Sequence, residues 1–247
     1  PYEKNQGETD RLYALCLDKI CRAAEGGNGK IFTTMAEINE AFGSIYVNRN
    51  GGKPAIGIIG EIFLRCNPPC NTNVIRKIEA LGGEAWLAPS AEWGYYTNLG
   101  FIYESLMHGK PFQIIKGLLT DLVQKWDDRR LARAFKHTIR QLHEPSILKT
   151  INYAAPYLHY TYKGEAVLSI GKTIDFVKKG ASGIVNIFPF TCMPGTVVSA
   201  LAKKVRADHG DFPWLDLAID GNEGVNLDTR LEAFMHQAKA HHSAHKH

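Results

Sequence analysis

The feature that most constrains the fold is a six-residue apolar run, AIGIIG at positions 55–60, in which apolar and polar residues do not alternate. A run of this kind predicts a β-strand that is covered on both faces. Apolar residues at helical spacing follow over 71–81, and the pattern ends at Gly82-Gly83 before a second strand-like stretch, EAWL at 84–87. Strand, helix, glycine turn and strand form a βαβ unit, which predicts parallel strands with helices packed on the sheet.

The same alternation returns in the carboxyl-terminal part of the chain. The pattern predicts a helix over 167–177, a strand over 183–188, a helix over 196–209, a strand over 214–218 and a last helix over about 228–239. We therefore expect an α/β fold, a doubly wound parallel sheet of the Rossmann or flavodoxin type. A helical insertion and an N-terminal helical segment accompany it.

The helical parts set the expected domain boundaries. Residues 8–25 have apolar residues at helical spacing, with Thr9 available as N-cap, and a shorter helix is expected over 33–42. The stretch NRNGGKP at 48–54 breaks regular structure. We expect an N-terminal helical segment and linker over 1–52, an α/β domain over 53–240 with a helical excursion over 91–160, and a disordered His-rich tail over 241–247.

Composition and charge argue against several classes of protein. The 247 residues carry a net charge of only +4, with basic and acidic residues interspersed, which argues against nucleic-acid binding. No apolar run approaches the roughly 20 residues that a membrane helix needs. The first residues also lack a secretion-signal pattern, so we expect a soluble, cytoplasmic protein. The chain begins at Pro1 in a polar stretch, from which we infer a piece of a longer protein.

Cysteine usage indicates thiols and not a disulfide framework, because the chain has five cysteines and no secretion signal. Cys16 and Cys21 lie in the first predicted helix, where a packed thiol is the simpler interpretation. Cys66 and Cys70 lie in the loop after the first strand, in a C-x3-C spacing that differs from the usual short metal spacings. Spacing alone leaves both chance placement and metal ligation open for this pair.

Ligands of open parallel sheets bind beyond the carboxyl ends of the strands, which directs attention to the loops 61–73, 189–195 and 220–228. Cys192 stands alone just past a buried strand, with Pro194 near the first turn of the next helix. Backbone N–H groups and the positive end of the helix dipole favour a thiolate there, although a packed thiol is an equal alternative.

The third loop, 220–228, is rich in carboxylates and amides. Asp220 and Glu223 are expected to bind Arg230 or to orient a ligand, and capping of the last helix by Asp228 is the alternative. Its glycines fall at the wrong offsets for a calcium loop. Neither G-x-G-x-x-G after the first strand nor G-x-x-x-x-G-K-[ST] occurs, so we expect no ATP hydrolysis by this chain itself.

Three long phrases carry a resemblance to a known family. The phrases are IGIIGEIFLRCNPPCNTNVIRKIEALGGEAWLAP, GIVNIFPFTCMPGTVVSAL and DGNEGVNLDTRLEAFMHQAK. In this order, they resemble the carboxyl-terminal region of the acyl-CoA dehydratase activase-related proteins. That region is similar to the subunits of 2-hydroxyacyl-CoA dehydratases. The resemblance implies an iron–sulfur cluster, an ATP-dependent activase as electron-donating partner, and a CoA-thioester-type or other recalcitrant substrate.

The resemblance also implies roles for individual residues. Cys192 matches the last cluster cysteine of the dehydratase subunits. Cys66 and Cys70 are candidates to complete a three-cysteine set with it, because both loops leave the same edge of the predicted sheet. Asn67 and Thr191 are candidate hydrogen-bonding neighbours of the sulfur atoms, and the candidate catalytic carboxylates are Glu61, Asp220 and Glu223. Two alternatives stay open: a non-catalytic docking module that uses the same loops, and a zinc site formed by Cys66, Cys70 and a histidine such as His108 or His137.

Overall fold

The computed structural model describes residues 1–27, 29–48, 52–135, 144–220 and 226–245. These residues form four β-strands and ten α-helices. The strands are β1 (Ala55–Gly60), β2 (Glu84–Leu87), β3 (Gly183–Pro189) and β4 (Trp214–Ile219). The helices are α1 (Glu8–Glu25), α2 (Lys30–Gly43), α3 (Ile62–Cys66), α4 (Val74–Ala80), α5 (Ala91–Met107), α6 (Pro111–Ala134), α7 (Ile147–Ala154), α8 (Glu165–Lys178), α9 (Met193–Asp208) and α10 (Leu227–Ala244).

The chain divides into two compact units. The sheet unit comprises Gly52–Gly94 and Pro145–His247 together with Pro1, and it contains all four strands. The helical unit comprises Tyr2–Gly51 and Tyr95–Glu144. The predicted N-terminal segment and most of the predicted helical excursion thus fall in the same unit, whereas α7 belongs to the sheet unit.

All four strands of the sheet unit are parallel, in the order β2-β1-β3-β4. The prediction of an α/β fold with a parallel sheet is confirmed. Every residue of β1 is buried, as the run without alternation requires, and Ile58 lies between Leu87 of β2 and Val185 of β3 in the register. Parallel strands need crossover connections, and helices supply them on both faces of the sheet.

One face of the sheet forms the main apolar core. Ile56 and Ile58 of β1 and Val185 and Ile187 of β3 pack with side chains of α4 and α10, all of them nearly inaccessible to solvent. The helix residues of this core are Leu64, Val74, Ile78, Leu227, Leu231, Phe234, Met235 and Ala238. Burying a side chain of this size contributes about 1.5–3 kcal/mol, so this layer is a major source of stability.

The other face is covered by α8 and α9. Residues Ala166 to Phe176 of α8 are all buried, because α7 covers the side of α8 that points away from the sheet. Gly57 permits this packing, since a Cβ atom there would lie 2.5 Å from the Phe176 ring. Helices on both faces give the sheet unit three layers.

The amino end of α1 differs from the prediction that Thr9 is its N-cap. Gly7 is the N-cap, in a left-handed conformation, and it makes no side-chain cap. The Glu3 carboxylate instead accepts hydrogen bonds from the N–H groups of Gly7 and Thr9, each at 2.7 Å. A carboxylate at this position also interacts favourably with the positive end of the helix dipole.

Other boundaries shift for local reasons. The helix predicted over 71–81 starts at Val74, because Thr72 and Asn73 have positive φ angles, and 62–66 is helical where a loop was expected. α9 starts at Met193 instead of 196. α10 continues to Ala244, so 241–244 are helical where a disordered tail was expected. None of the described helices is both long and apolar enough to span a membrane.

Candidate functional site at the carboxyl edge of the sheet

The strand order creates a crevice between β1 and β3. The chain leaves β1 toward β2 on one side and leaves β3 toward β4 on the other, so the two connections diverge at these neighbouring strands. Their helices, α4 and α9, lie on opposite faces of the sheet. This divergence is the position at which open α/β sheets bind ligands. The loops with Cys66, Cys70 and Cys192 flank it.

The loop after β1 is held in shape by its own side chains. Glu61 caps α3, with its two carboxylate oxygens accepting from the N–H groups of Phe63 at 3.0 Å and Leu64 at 2.7 Å. Asn71 is 2% exposed, and its amide donates to the carbonyls of Leu64 and Arg65. Glu61, a candidate catalytic carboxylate in the sequence, therefore has a structural function as a helix cap.

Cys66 and Cys70 lie on the outer side of this loop. Cys66 is the last residue of α3, and both thiols are exposed. Asn67, expected to bond to a sulfur, accepts from the N–H of Cys70 through its backbone and side-chain oxygens, at 3.1 and 3.4 Å. The C-x3-C pair is thus part of a hydrogen-bonded turn that presents two thiols to solvent.

Cys192 is half-buried at the start of α9. It is the N-cap residue, its N–H donates to Pro189 O at 3.0 Å, and its carbonyl accepts from the N–H and the hydroxyl of Thr196. Thr191 precedes it with a φ of 70°. Gly195 allows this tight approach, because a Cβ atom there would lie 2.4 Å from the Phe188 ring. The predicted proline in the first turn of α9 is present.

The three thiols do not form a preformed metal site. Over the part of the chain that the structure describes, no three His, Cys, Asp or Glu side chains are close enough to hold a metal ion. Their chemistry suits an iron–sulfur cluster, since thiolates are its usual ligands, but their placement leaves a cluster without three ready ligands. His108 belongs to the helical unit, where its Nδ1 lies 2.8 Å from Glu104 O, and His137 lies outside the described residues.

The third predicted loop follows β4 at the same edge. Asp220 directly follows β4, and Glu223 lies outside the described residues. Arg230 donates to the backbone carbonyl of Asp216 at 2.6 Å. Asp228 does not cap α10, whose N-cap is Asn226, and it forms an ion pair with Lys77 at 2.6 Å instead.

Sequence reasoning missed a cluster of charged side chains beneath the loop after β1. Its residues surround a cavity of about 10 Å³, which is the space of one water molecule. The cavity is lined by Ile59, Ile62, Arg65, Ala88, Glu92, Glu165, Leu168, Ser169 and Lys172. The available signal was Lys172, a lysine that stands between the apolar residues Ile170 and Ile174.

Arg65 lines the cavity and is buried, with only 6% of its surface exposed. Its guanidinium donates to the carbonyls of Gly60 at 2.5 Å and Pro89 at 3.4 Å, whereas Nε has no hydrogen-bond partner among the described residues. Burial lowers the pKa of Arg65, and the charges of Cys66, Glu165 and other nearby carboxylates oppose that change. Arg65 thus provides a positive charge next to Cys66.

Glu165, at the start of α8, lies in an environment that disfavours its charged form. Burial raises its pKa, and the neighbouring charge of Glu61 acts in the same direction. A hydrogen bond from the N–H of Ile62 and the charge of Arg65 partly offset this rise. Glu165 therefore holds a proton more readily than a solvated glutamate does.

A second polar network lies between β3, β4 and α9. The Asn186 amide donates to Asp216 Oδ1 at 2.8 Å, and the Ser199 hydroxyl donates to the same oxygen at 2.8 Å. Asn186 is fully buried in β3, three positions before the strand end. This network fixes α9, and with it the Cys192 turn, against the sheet.

The fold and the site define an α/β protein with a four-stranded, all-parallel sheet and a thiol-bearing crevice at its carboxyl edge. Comparison of the chain with protein-family models, with curated proteins and with solved structures gave no match.

Proposed function

We propose that this chain is an iron–sulfur domain of the 2-hydroxyacyl-CoA dehydratase-like type, with a doubly wound, flavodoxin-like sheet, that accepts electrons from an ATP-dependent activase. The observation that carries the proposal is the position of Cys192 at the start of α9, on the loop beside the one that bears Cys66 and Cys70. The strand order 2-1-3-4 supports the flavodoxin-like assignment, since flavodoxin-like sheets begin in this order.

The residues of the chain would divide the binding between them. Cys192 would be the anchoring ligand, because it is half-buried and lies on a helix end that the Asn186 network holds in place. Cys66 or Cys70, both exposed on the neighbouring segment, would supply a second thiolate. A cluster held there would supply one-electron redox chemistry, and Arg65 would balance the negative charge of the thiolates.

Exposed apolar side chains around the crevice support a partner. Phe63, Phe190 and Met193 are 64, 65 and 65% exposed, and all three lie in the turns that carry the cysteines. Large apolar side chains grouped around a polar site are typical of surfaces that another protein covers. An activase that docks here would shield the electron-accepting group from water during transfer.

Anaerobic reconstitution with ferrous iron and sulfide tests the proposal. We expect the native chain to bind iron and to become brown, and we expect Cys192→Ser to lose most of its iron. Cys21→Ser is the matched control, because Cys21 is an exposed thiol in the helical unit. Equal iron content in both variants, or a colourless native protein after reconstitution, would contradict the proposal. Zinc instead of iron in the elemental analysis would also contradict it and would favour the zinc-site alternative.

The exposed apolar side chains favour a second candidate function, a docking module that binds a neighbouring domain without metal chemistry. It predicts that the chain folds normally without iron and that partner binding is the same after Cys192→Ala. The alanine variant should instead be compared with Phe190→Ser, which would weaken docking by removing exposed apolar surface.

A further inference from the structure

An exposed apolar stripe runs along α6 in the helical unit. Phe112, Ile115, Leu119, Leu122 and Trp126 alternate at spacings of three and four residues and are 86, 54, 57, 62 and 55% exposed. Leu118 and Val123 beside them are 50 and 58% exposed. This spacing is that of the contact positions in a coiled coil, which lie on one side of a helix and pack against a second helix.

The opposite side of α6 is already occupied within the same unit. Gly117 is buried, and a Cβ atom there would lie 2.4 Å from Ile102. The Asn98 amide donates to Gly117 O at 3.0 Å, and Asp128 accepts a hydrogen bond from the Tyr95 hydroxyl. These contacts determine the rotation of α6, so its apolar stripe faces outward from the helical unit.

The size of the stripe matches a stable interface. At the exposures given, seven large side chains together present on the order of 800 Å², which is about the area that one partner contributes to a standard protein–protein interface. Contiguous apolar patches of more than a few hundred Å² are rare on monomers and mark interaction sites.

The order of side chains along the stripe selects the partner. Counted from Leu119, an aromatic residue lies seven positions away in both directions, at Phe112 and Trp126, and a branched aliphatic residue lies four positions away in both directions, at Ile115 and Val123. The stripe is therefore nearly palindromic. A two-fold axis at Leu119 would place like-sized side chains opposite each other, which is the condition for a self-complementary interface.

We propose that α6 pairs antiparallel with α6 of a second copy of this chain, around a two-fold axis at Leu119. The antiparallel direction is favoured because it brings the amino end of each helix dipole beside the carboxyl end of the other. A parallel pair would instead bring two positive side chains together, because Lys125 of one copy would lie opposite Arg130 of the other at the positions that flank the contact seam.

Sedimentation of the full chain over a range of concentrations tests the pairing. The native protein is expected to form a concentration-dependent dimer, and Leu119→Glu is expected to weaken it at least tenfold. Leu15→Glu is the matched control, because Leu15 is 65% exposed on α1 of the same unit but lies outside the stripe. Circular dichroism checks that both variants keep their helices. A monomer at every concentration, or a dimer that tolerates Leu119→Glu, overturns the proposal.

Cross-linking with a short bismaleimide tests the direction of the pair, in a background where the exposed Cys21, Cys66 and Cys70 and the half-buried Cys192 are replaced by serine. Leu119→Cys alone is expected to form a covalent dimer. Phe112→Cys is expected to cross-link with Trp126→Cys in a mixture, and not with itself. Self-cross-linking of Phe112→Cys overturns the antiparallel arrangement, and binding of a monomer to anionic phospholipid vesicles overturns the choice of partner.

Discussion

The ammonium group of Lys172 lies 2.9 Å from Glu92 Oε1, with both side chains almost inaccessible to solvent, at 1 and 8% exposure. Lys172 also approaches Asp175, at 3.4 Å, and lies 5.5 Å from the centre of the Phe176 ring. This ion pair connects the middle of α8 with the first turn of α5 beneath the crevice. Removing a charge from water costs free energy, so either charge buried here without the other would destabilise the fold.

Replacement of one partner of this ion pair is expected to be strongly destabilising. Lys172→Met leaves the Glu92 carboxylate buried without its cation and should lower the free energy of unfolding by about 3–5 kcal/mol. Lys204→Met is the control, because the Lys204–Asp208 pair is solvent-exposed and should change stability by at most about 1 kcal/mol. Urea unfolding of both variants gives the comparison, and similar midpoints would contradict the prediction.

A close contact between α7 and α8 makes a second prediction. A Cβ atom on Gly171 would lie 2.1 Å from Thr150 O, so Gly171→Ala should separate the helices and destabilise the protein by about 1–3 kcal/mol. Gly100→Ala is the matched change, because Gly100 is also helical and a Cβ atom there would meet no heavy atom of the described residues within 4 Å. It should be neutral or stabilising by up to ~1 kcal/mol in thermal unfolding. Equal effects would show that the helices can separate at no cost.

The Glu3 cap predicts loss of stability in acid. Hydrogen bonds from Thr9 and Gly7 lower the pKa of Glu3 to about 2 from an ordinary value of 4.5. A pKa that is lower in the folded than in the unfolded chain stabilises the fold above 4.5, and this contribution disappears as the pH falls toward 2. Helicity followed by circular dichroism should show this acid dependence, and Glu3→Gln should remove it. Glu25→Gln, at the other end of α1, is the control and should leave the dependence unchanged.

Glu165 predicts the opposite pH dependence. Burial raises its pKa above 4.5, so the folded chain binds this proton more tightly than the unfolded chain does. Stability should therefore fall as the pH rises from 4.5 through the raised pKa. Melting temperatures across this pH window should decline less in Glu165→Gln, because the amide carries no charge to desolvate. A parallel decline in the native chain and in the variant would rule out this contribution of Glu165.

Local patterns anticipated most secondary structure but not its ends. β1 and β2 begin and end where the apolar runs do, and α1 spans the predicted residues. Both patterns depend only on the order of apolar and polar residues within one short segment. Helix ends depended on contacts that periodicity does not contain. Glu3, outside α1, supplies the cap, and the positive φ angles before Val74 delay the start of α4.

The candidate site was anticipated in part. β1 and β3 are neighbouring parallel strands, so the segments that carry the three cysteines follow the same edge of the sheet, but Cys66 ends α3 where a loop was expected. The distances between the thiols depend on how each loop is folded internally, and Asn71 and Glu61 hold the first loop in a form that keeps its thiols exposed.

The sequence alone determined the class of fold, because apolar periodicity decides which segments become strands and helices, and βαβ connections make the strands parallel. Only the tertiary structure decided which charges are buried and which apolar side chains are exposed. The Lys172–Glu92 pair joins residues 80 positions apart in the chain, and the outward orientation of the α6 stripe follows from the contacts of Gly117 on its other side. Burial is a property of what packs around a residue, and that depends on how distant segments meet.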